Sequence, residues 1–323
     1  MKTRIAEIIL DTCLAIQPHE KVLVITDAQR YEIGEFLFRH AQTRSEAVLL
    51  QIPVTRFDGD QLSSFTAEIA RHADVIIAPT TMSASHTKAM VEARLHGARV
   101  ATLPGITADI FERALDVDYD AMSAFTTKLK ERFAGVQHVR VTTEKGTDVT
   151  FSITGRTIHV LDGLCRTAGS FVNLPDGEMM VAPVETSMNG RIVIDLSMSP
   201  DQPTDYGMIG LLNGETIDLE IRDGRITRYG GGSKAAVLER VITAAGDNAD
   251  CIAEFAIGTN PAARIIGNIL EDEKVMNTIH FAFGSNVSIG GTNQSTVHLD
   301  GVIGKPTVWA DGEEVMRDGE FAF

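Results

Sequence analysis

Lys21-Val-Leu-Val-Ile-Thr26 is a short, continuous apolar run, and its reading decides the fold of the first half of the chain. A strand apolar at successive positions is buried on both faces, the habit of parallel sheets. The same kind of run recurs at Ala47-Val-Leu-Leu-Gln51, Asp74-Val-Ile-Ile-Ala78 and Ala98-Arg-Val-Ala-Thr102. Helical spacing flanks these runs, over residues 3–16 (Ile5, Ile8, Ile9 and Leu14), 30–43, 60–72 and 84–96. This alternation predicts an α/β domain with a parallel sheet over residues 1–135. The turn after the first strand, Asp27-Ala-Gln-Arg-Tyr-Glu32, lacks the glycines that let a backbone approach a pyrophosphate. A nicotinamide cofactor is therefore not expected.

Beyond residue 135 the pattern changes. Val139-Arg-Val-Thr-Thr143, Asp148-Val-Thr-Phe-Ser152, Arg191-Ile-Val-Ile-Asp195 and Thr216-Ile-Asp-Leu-Glu-Ile221 alternate apolar and polar residues, as half-buried antiparallel strands do. Asn213-Gly214 and Asp223-Gly224 read as hairpin turns. Helices are expected at 234–245 and around 261–270. The Gly230-Gly-Gly232 run lacks P-loop spacing and reads as a loop rather than an anion cradle. Residues 136–323 are thus predicted to form a strand-rich α+β domain that carries the metal site.

Composition narrows the functional classes. The chain has 323 residues, 44% of them hydrophobic, and a formal net charge of −15. Nucleic acid and anionic membrane both require a basic face, so neither is expected as the main partner. The N-terminus Met-Lys-Thr-Arg-Ile-Ala-Glu7 has no signal-peptide character, and no apolar run reaches the ~18 residues of a membrane span. Cys13, Cys165 and Cys251 form no C-x-x-C pair and read as free buried thiols in a reducing cytoplasm.

The chemistry-bearing pattern lies in the second half. In Thr296-Val-His298-Leu-Asp300 an imidazole and a carboxylate stand two residues apart, on one face of a strand. Such a pair supplies half of a divalent metal site. His280 lies upstream in Asn277-Thr-Ile-His-Phe-Ala-Phe-Gly284, and Glu254 in Ile252-Ala-Glu-Phe-Ala-Ile-Gly258. A buried carboxylate among apolar neighbours needs a cation or a proton. Glu178 follows the turn Asn173-Leu-Pro-Asp-Gly177.

The chain resembles the M29 family of metallo-aminopeptidases (aminopeptidase T and aminopeptidase S type). The likeness starts at Ala6-Glu-Ile-Ile-Leu10 and continues through Asn173-Leu-Pro-Asp-Gly-Glu-Met-Met-Val-Ala-Pro183. It is strongest from Ala253-Glu-Phe-Ala-Ile-Gly-Thr-Asn260, through Glu271-Asp-Glu-Lys274 and Thr278-Ile-His-Phe-Ala-Phe-Gly284, to His298-Leu-Asp300. The resemblance implies two divalent metals (zinc, cobalt or manganese) held by Glu178, Glu254, His280, His298 and Asp300. It implies a metal-activated water that attacks a peptide or small amide bond, with Glu178 or Glu254 moving the proton, and a homodimer. The chain departs from that family in its shorter length. It also carries Ser285-Asn-Val-Ser288 where the peptidases have a tyrosine.

The same superfamily includes the 2,5-dihydroxypyridine 5,6-dioxygenases, which the shorter length favours. That alternative implies one Fe(II) held by two histidines and a carboxylate, with ring cleavage as the reaction. His298, Asp300 and His280 would serve such a site. In Ser83-Ala-Ser-His86-Thr-Lys88, His86 follows a predicted parallel strand, where open α/β sheets place ligands, and is a candidate acid/base residue.

Overall fold

A computed structural model describes residues 1–323. It has a mixed α/β architecture with three sheets. The chain divides into two compact units, Met1–Ser123 with Leu161–Asp176, and Ala124–Val160 with Gly177–Phe323. The chain therefore returns to the first unit at Leu161–Asp176, which a single cut at 135 leaves in the second half.

The first unit holds a five-stranded sheet in the order Glu46–Ile52, Lys21–Asp27, Val75–Ala78, Arg99–Thr102, Phe171–Asn173. All four pairings are parallel. Six consecutive residues of Lys21–Asp27 are buried, as its unbroken apolar run demands. Phe171–Asn173 is a fifth strand that the sequence reading did not include. The first predicted helix is α-helical over Thr3–Glu7 and continues as a π-helix over Ile8–Cys13. The other three run over Tyr31–Ala41, Ser64–Ala70 and Lys88–Leu95, shorter than the periodicity suggests.

The second unit is built on two sheets. One has eight strands, running from Arg225–Gly231 and Ile217–Arg222 at one edge, through Asn189–Ile194, Asp148–Ser152 and His138–Thr142, to Thr307–Ala310, Glu313–Arg317 and Glu320–Phe321. The other has seven, in the order Gly210–Leu211, Ser197–Met198, His298–Gly304, Thr278–Gly284, Ile252–Gly258, Glu178–Val181, His159–Leu161. A continuous apolar core joins inward residues of both sheets, among them Val141, Val149, Phe151 and Ile192 from the first and Phe255, Ile279, Phe281 and Ile303 from the second. Phe151 meets Phe255 with ring centroids 5.1 Å apart.

Two local expectations are corrected. Asp223 and Gly224 do turn a hairpin, with φ of 49° and 71°. Asn213-Gly214 has the same left-handed backbone, yet it joins strands of different sheets and makes no hairpin. The helix expected around 261–270 shrinks to Ile269–Asp272. The backbone N–H groups of Arg264, Ile266 and Gly267 instead donate to the Glu271 and Asp272 carboxylates. All three cysteines are free and buried. No helix is long and apolar enough to cross a membrane.

Candidate metal centre

Alternation on neighbouring strands builds the centre. In Ile252–Gly258, Phe255 and Ile257 enter the core between the two sheets. Ile279, Phe281 and Phe283 do so in Thr278–Gly284, and Leu299 and Ile303 in His298–Gly304. A side-chain period of two therefore turns Glu254, His280, His298 and Asp300 to the opposite face.

Register then brings these groups together. Ala282 is the partner of both Glu254 and Asp300. His280 pairs with Ala256, His298 with Gly284, and Glu178 with Gly258. These partner positions are alanine or glycine, and only on its other flank does His280 meet a larger residue, Val302. His280 Nε2 lies 3.1 Å from Glu254 Oε1 and 3.5 Å from Glu178 Oε2. His298 Nε2 lies 3.5 Å from Glu254 Oε2 and 3.3 Å from Asp300 Oδ1. Glu254 thus offers one carboxylate oxygen to each imidazole.

The two histidines are held differently. His298 Nδ1 lies 2.8 Å from the Ser285 carbonyl, which can only accept. That contact places the proton on Nδ1 and leaves Nε2 facing the carboxylates, the arrangement of a metal-ligating imidazole. His298 is about one-third exposed at the rim of the site, whereas His280 is buried. His280 Nδ1 and Glu178 Oε2 are buried without a hydrogen-bond partner, a costly state that a bound cation at this cluster relieves at Glu178.

Two residues that the sequence reading did not single out complete the cluster. Lys274 Nζ lies 2.6 Å from Glu178 Oε1 and 2.7 Å from Glu273 Oε1. Ligand atoms of Glu273, His280 and Asp300 approach one another within 4.8 Å, as do those of Glu178, Glu254 and His280, and those of Glu254, His298 and Asp300. Glu273 and Lys274 belong to Glu271-Asp-Glu-Lys274, a fully charged run, and such runs ordinarily mark solvated surface. Here Glu271, Asp272 and Lys274 are buried. The signal that points to them is the position of the run, directly between the apolar stretches that carry Glu254 and His280.

The charges have the pattern of a cation site. Four carboxylates face a single ammonium. Burial opposes an imidazolium at both histidines, but the carboxylates prevail. His280 is pushed up to about 9 by Glu254 and Glu178, and His298 rises well above its ordinary value beside Asp300 and Glu254. Burial also opposes the Glu254 anion, yet hydrogen bonds from both imidazoles hold its carboxyl below the usual range. At Glu273 burial wins over the Lys274 charge and the carboxyl is raised. Protons thus occupy the imidazole lone pairs that a metal ion would take. The donor set of imidazole nitrogens with carboxylate oxygens suits iron, zinc, cobalt or manganese.

The structure therefore brings Glu178, Glu254, His280, His298 and Asp300 to one face of one sheet as a candidate metal centre. His86 lies in the other unit. It is exposed in the turn before Lys88–Leu95, with its ring 6.0 Å from that of Phe171.

Comparison with known proteins separates the two chemistries that this donor set allows. The fold is similar to that of 2,5-dihydroxypyridine dioxygenase from Pseudomonas putida KT2440, at 17% identity and a TM-score of 0.81, covering 99% of this chain and 96% of that one. It is also similar to AmpT from Thermus thermophilus, at 17% identity and a TM-score of 0.74, covering 99% and 98%. At these identities both likenesses speak for the fold alone. A search of curated proteins finds no match. The family model that matches, over residues 4–323, is NicX: 2,5-dihydroxypyridine 5,6-dioxygenase. This corrects the M29 metallo-aminopeptidase resemblance, and with it the reading of the protein as a hydrolase or metalloprotease. The physical reason is that ligand spacing and strand order report a metal site on this fold, and both are compatible with either reaction. The protein is an enzyme, and with nearly its whole length matched the chain belongs to the NicX, 2,5-dihydroxypyridine 5,6-dioxygenase, family.

Proposed function

We propose that the protein is a non-haem Fe(II) dioxygenase that opens the ring of 2,5-dihydroxypyridine or a closely similar hydroxylated aromatic. The observation that carries this reading is the family match over residues 4–323, on a chain whose sheet sets Glu254 against both imidazoles and Asp300 against His298. A set of two histidines and one carboxylate is the usual holder of Fe(II) in oxygenases, because it leaves coordination positions open. His280, His298 and Asp300 would hold one ion, in place of the pair of divalent ions that a hydrolase would use. When bound, Fe(II) supplies the one-electron chemistry that lets O2 react with an aromatic ring.

The protein's own residues supply the setting. Ser285 fixes the His298 tautomer through its carbonyl, so Nε2 faces the metal position. Glu254 presents an oxygen to each imidazole and balances the charge of the ion. His298 is the one partly exposed member of the set, so a small substrate and O2 would reach the centre past it. The core face of the same sheet is packed with Phe255, Phe281 and Phe283, which closes the other side. This reading requires nothing from His86.

The test is an oxygen-electrode assay of metal-free protein reconstituted anaerobically with Fe(II). With 2,5-dihydroxypyridine, O2 consumption should match substrate loss mole for mole, and zinc-loaded protein should be inert. Fe(II)-loaded protein that consumes no O2 with any hydroxylated pyridine or related phenol would remove the proposal.

A further inference from the structure

The outer nitrogen of His298 is held by backbone, and that piece of backbone is itself gripped. The Ser285 carbonyl that accepts from His298 Nδ1 belongs to the same planar peptide group as the Asn286 N–H. This N–H donates to the Asn293 carbonyl at 3.0 Å. The preceding peptide group is held in the same way. Its carbonyl, on Gly284, accepts from Asn293 Nδ2 at 2.6 Å, and its N–H, on Ser285, donates to the Val297 carbonyl at 2.8 Å. Two successive peptide planes thus have every polar group engaged, and together they set the direction of the Ser285 carbonyl.

Two asparagines supply most of this grip. The Asn293 N–H donates to Asn286 Oδ1 at 2.7 Å, so the pair exchanges two hydrogen bonds across the loop 286–293. Asn293 Nδ2 also donates to the Asn248 carbonyl at 3.0 Å, and Asn286 Nδ2 to Glu185 Oε1 at 3.3 Å. Both asparagines are buried. Gly291 roofs the pair, since a Cβ there would lie 2.1 Å from the Asn286 amide carbon. Buried amides bonded in this way specify one arrangement, because a shifted loop leaves buried donors and acceptors unpaired.

Resting on the metal reading of His298 above, we propose that Asn286 and Asn293 are positioning residues of this centre. Their clasp aims the Ser285 carbonyl at His298 Nδ1, and so aims His298 Nε2 at the metal position. The need for it lies in where His298 stands. It is the first residue of its strand and about one-third exposed, so packing alone does not restrain the ring, whereas His280 is buried inside its strand. The run from the Asn293 carbonyl through the 285–286 peptide group to the imidazole is a chain of hydrogen bonds that polarise one another. It therefore also makes Nε2 a better donor to an ion.

The experiment reads the ring and the ion separately. Metal-free wild type, Asn286→Ala, Asn293→Ala and Gly291→Ala are titrated with Co(II), and the zinc-loaded proteins are studied by proton–nitrogen NMR of the His298 imidazole. Gly291→Ala keeps both asparagines and displaces their clasp. Val149→Ala, a truncation in the core between the sheets, is the control for lost stability. Wild type should bind Co(II) and should show metal-bound Nε2 with a protected Nδ1–H signal. The three loop variants should bind Co(II) about 10–100-fold more weakly, and their Nδ1–H signal should be lost to exchange with water. Val149→Ala should match wild type in both measurements at a lower denaturation midpoint. A loop variant that does not fold metal-free is refolded in Co(II), and its release of the ion to a chelator should be faster than that of wild type. Loop variants with wild-type affinity and a protected Nδ1–H overturn the positioning role and leave the metal centre standing, and so does equal weakening in Val149→Ala. Wild type that binds no Co(II), or binds zinc without engaging His298 Nε2, removes the metal reading itself.

Discussion

A Cβ on Gly258 would lie 2.2 Å from the carbonyl oxygen of Val275, so the absence of a side chain at 258 is what lets the Lys274–Val275 backbone lie against the sheet. This contact joins the fold to the site. It sets the height of Lys274 above Glu178, which pairs with Gly258 across the adjacent strand. Gly258→Ala must push the two backbones apart, and overpacking of this kind costs about 1–3 kcal/mol. The expected outcome is a lower denaturation midpoint in urea together with a weaker hold on metal, because the Lys274–Glu178 pair moves with the backbone. Unchanged metal affinity in a destabilised variant would show that the clamp supports the fold only.

His298→Ala should separate metal binding from folding. The side chain is partly exposed, and its main-chain neighbours are already paired in the sheet, so little packing is lost. It nonetheless supplies an imidazole nitrogen facing both Glu254 and Asp300. Loss of groups that merely orient a ligand weakens metal sites by about 10–100-fold, and loss of the ligand itself should exceed that. Iron content and O2 uptake should both collapse while the far-ultraviolet circular dichroism spectrum stays that of wild type. A variant that keeps its iron and its turnover would place the centre elsewhere.

The legible part of the site is the part that obeys local periodicity. His298 and Asp300 are two residues apart in a strand, and the structure sets them 3.3 Å apart at Nε2 and Oδ1. Glu254 and His280 stood out as polar residues inside apolar strands, and both strands are buried along their whole length. Lys274 and Glu273 were not legible as site residues, because what draws Lys274 inward is Glu178, 96 residues away in sequence. The missed strand Phe171–Asn173 has the same cause: three residues carry no period, and its partner Arg99–Thr102 is about seventy residues away. The false helix near 261–270 arose because the buried carboxylates of Glu271 and Asp272, not an i−4 carbonyl, satisfy the local N–H groups. The reaction itself was illegible for a chemical reason, since the same nitrogen and oxygen donors serve hydrolysis and oxygenation.

Ala282 lies in register between Glu254 and Asp300, on the face that carries the ligands. Its side chain is a single methyl group, and the residue is fully buried. Ala282→Leu should fill the space between those carboxylates. The expected stability cost is about 1–3 kcal/mol by overpacking, and iron content after reconstitution should fall well below one equivalent. Equilibrium unfolding and metal analysis on the same preparation check the two halves of the expectation, and full iron occupancy in Ala282→Leu would count against a centre at this point.

Glu185, in the turn that follows Glu178–Val181, ties down the loop after Thr278–Gly284, and its carboxyl should leave a signature in acid. It accepts from the Thr292 N–H at 2.6 Å, from the Thr292 hydroxyl at 3.0 Å and from Asn286 at 3.3 Å, and it is ion-paired with Arg156. Burial alone would raise its pKa, but the Thr292 hydrogen bonds and the Arg156 charge outweigh burial and hold it at about 2. In an unfolded chain a glutamate titrates near ~4.3. A depressed folded value means that the contribution is fully present above the unfolded pKa and is lost as pH falls from there through the folded one. The difference in unfolding free energy between wild type and Glu185→Gln should therefore hold steady from pH ~7 to ~5 and shrink between ~4.3 and ~2, by at most about 3 kcal/mol. Chemical denaturation of both proteins across that range measures it. A difference that stays constant through the acid range would mean that the carboxylate charge contributes nothing to the anchoring of this loop.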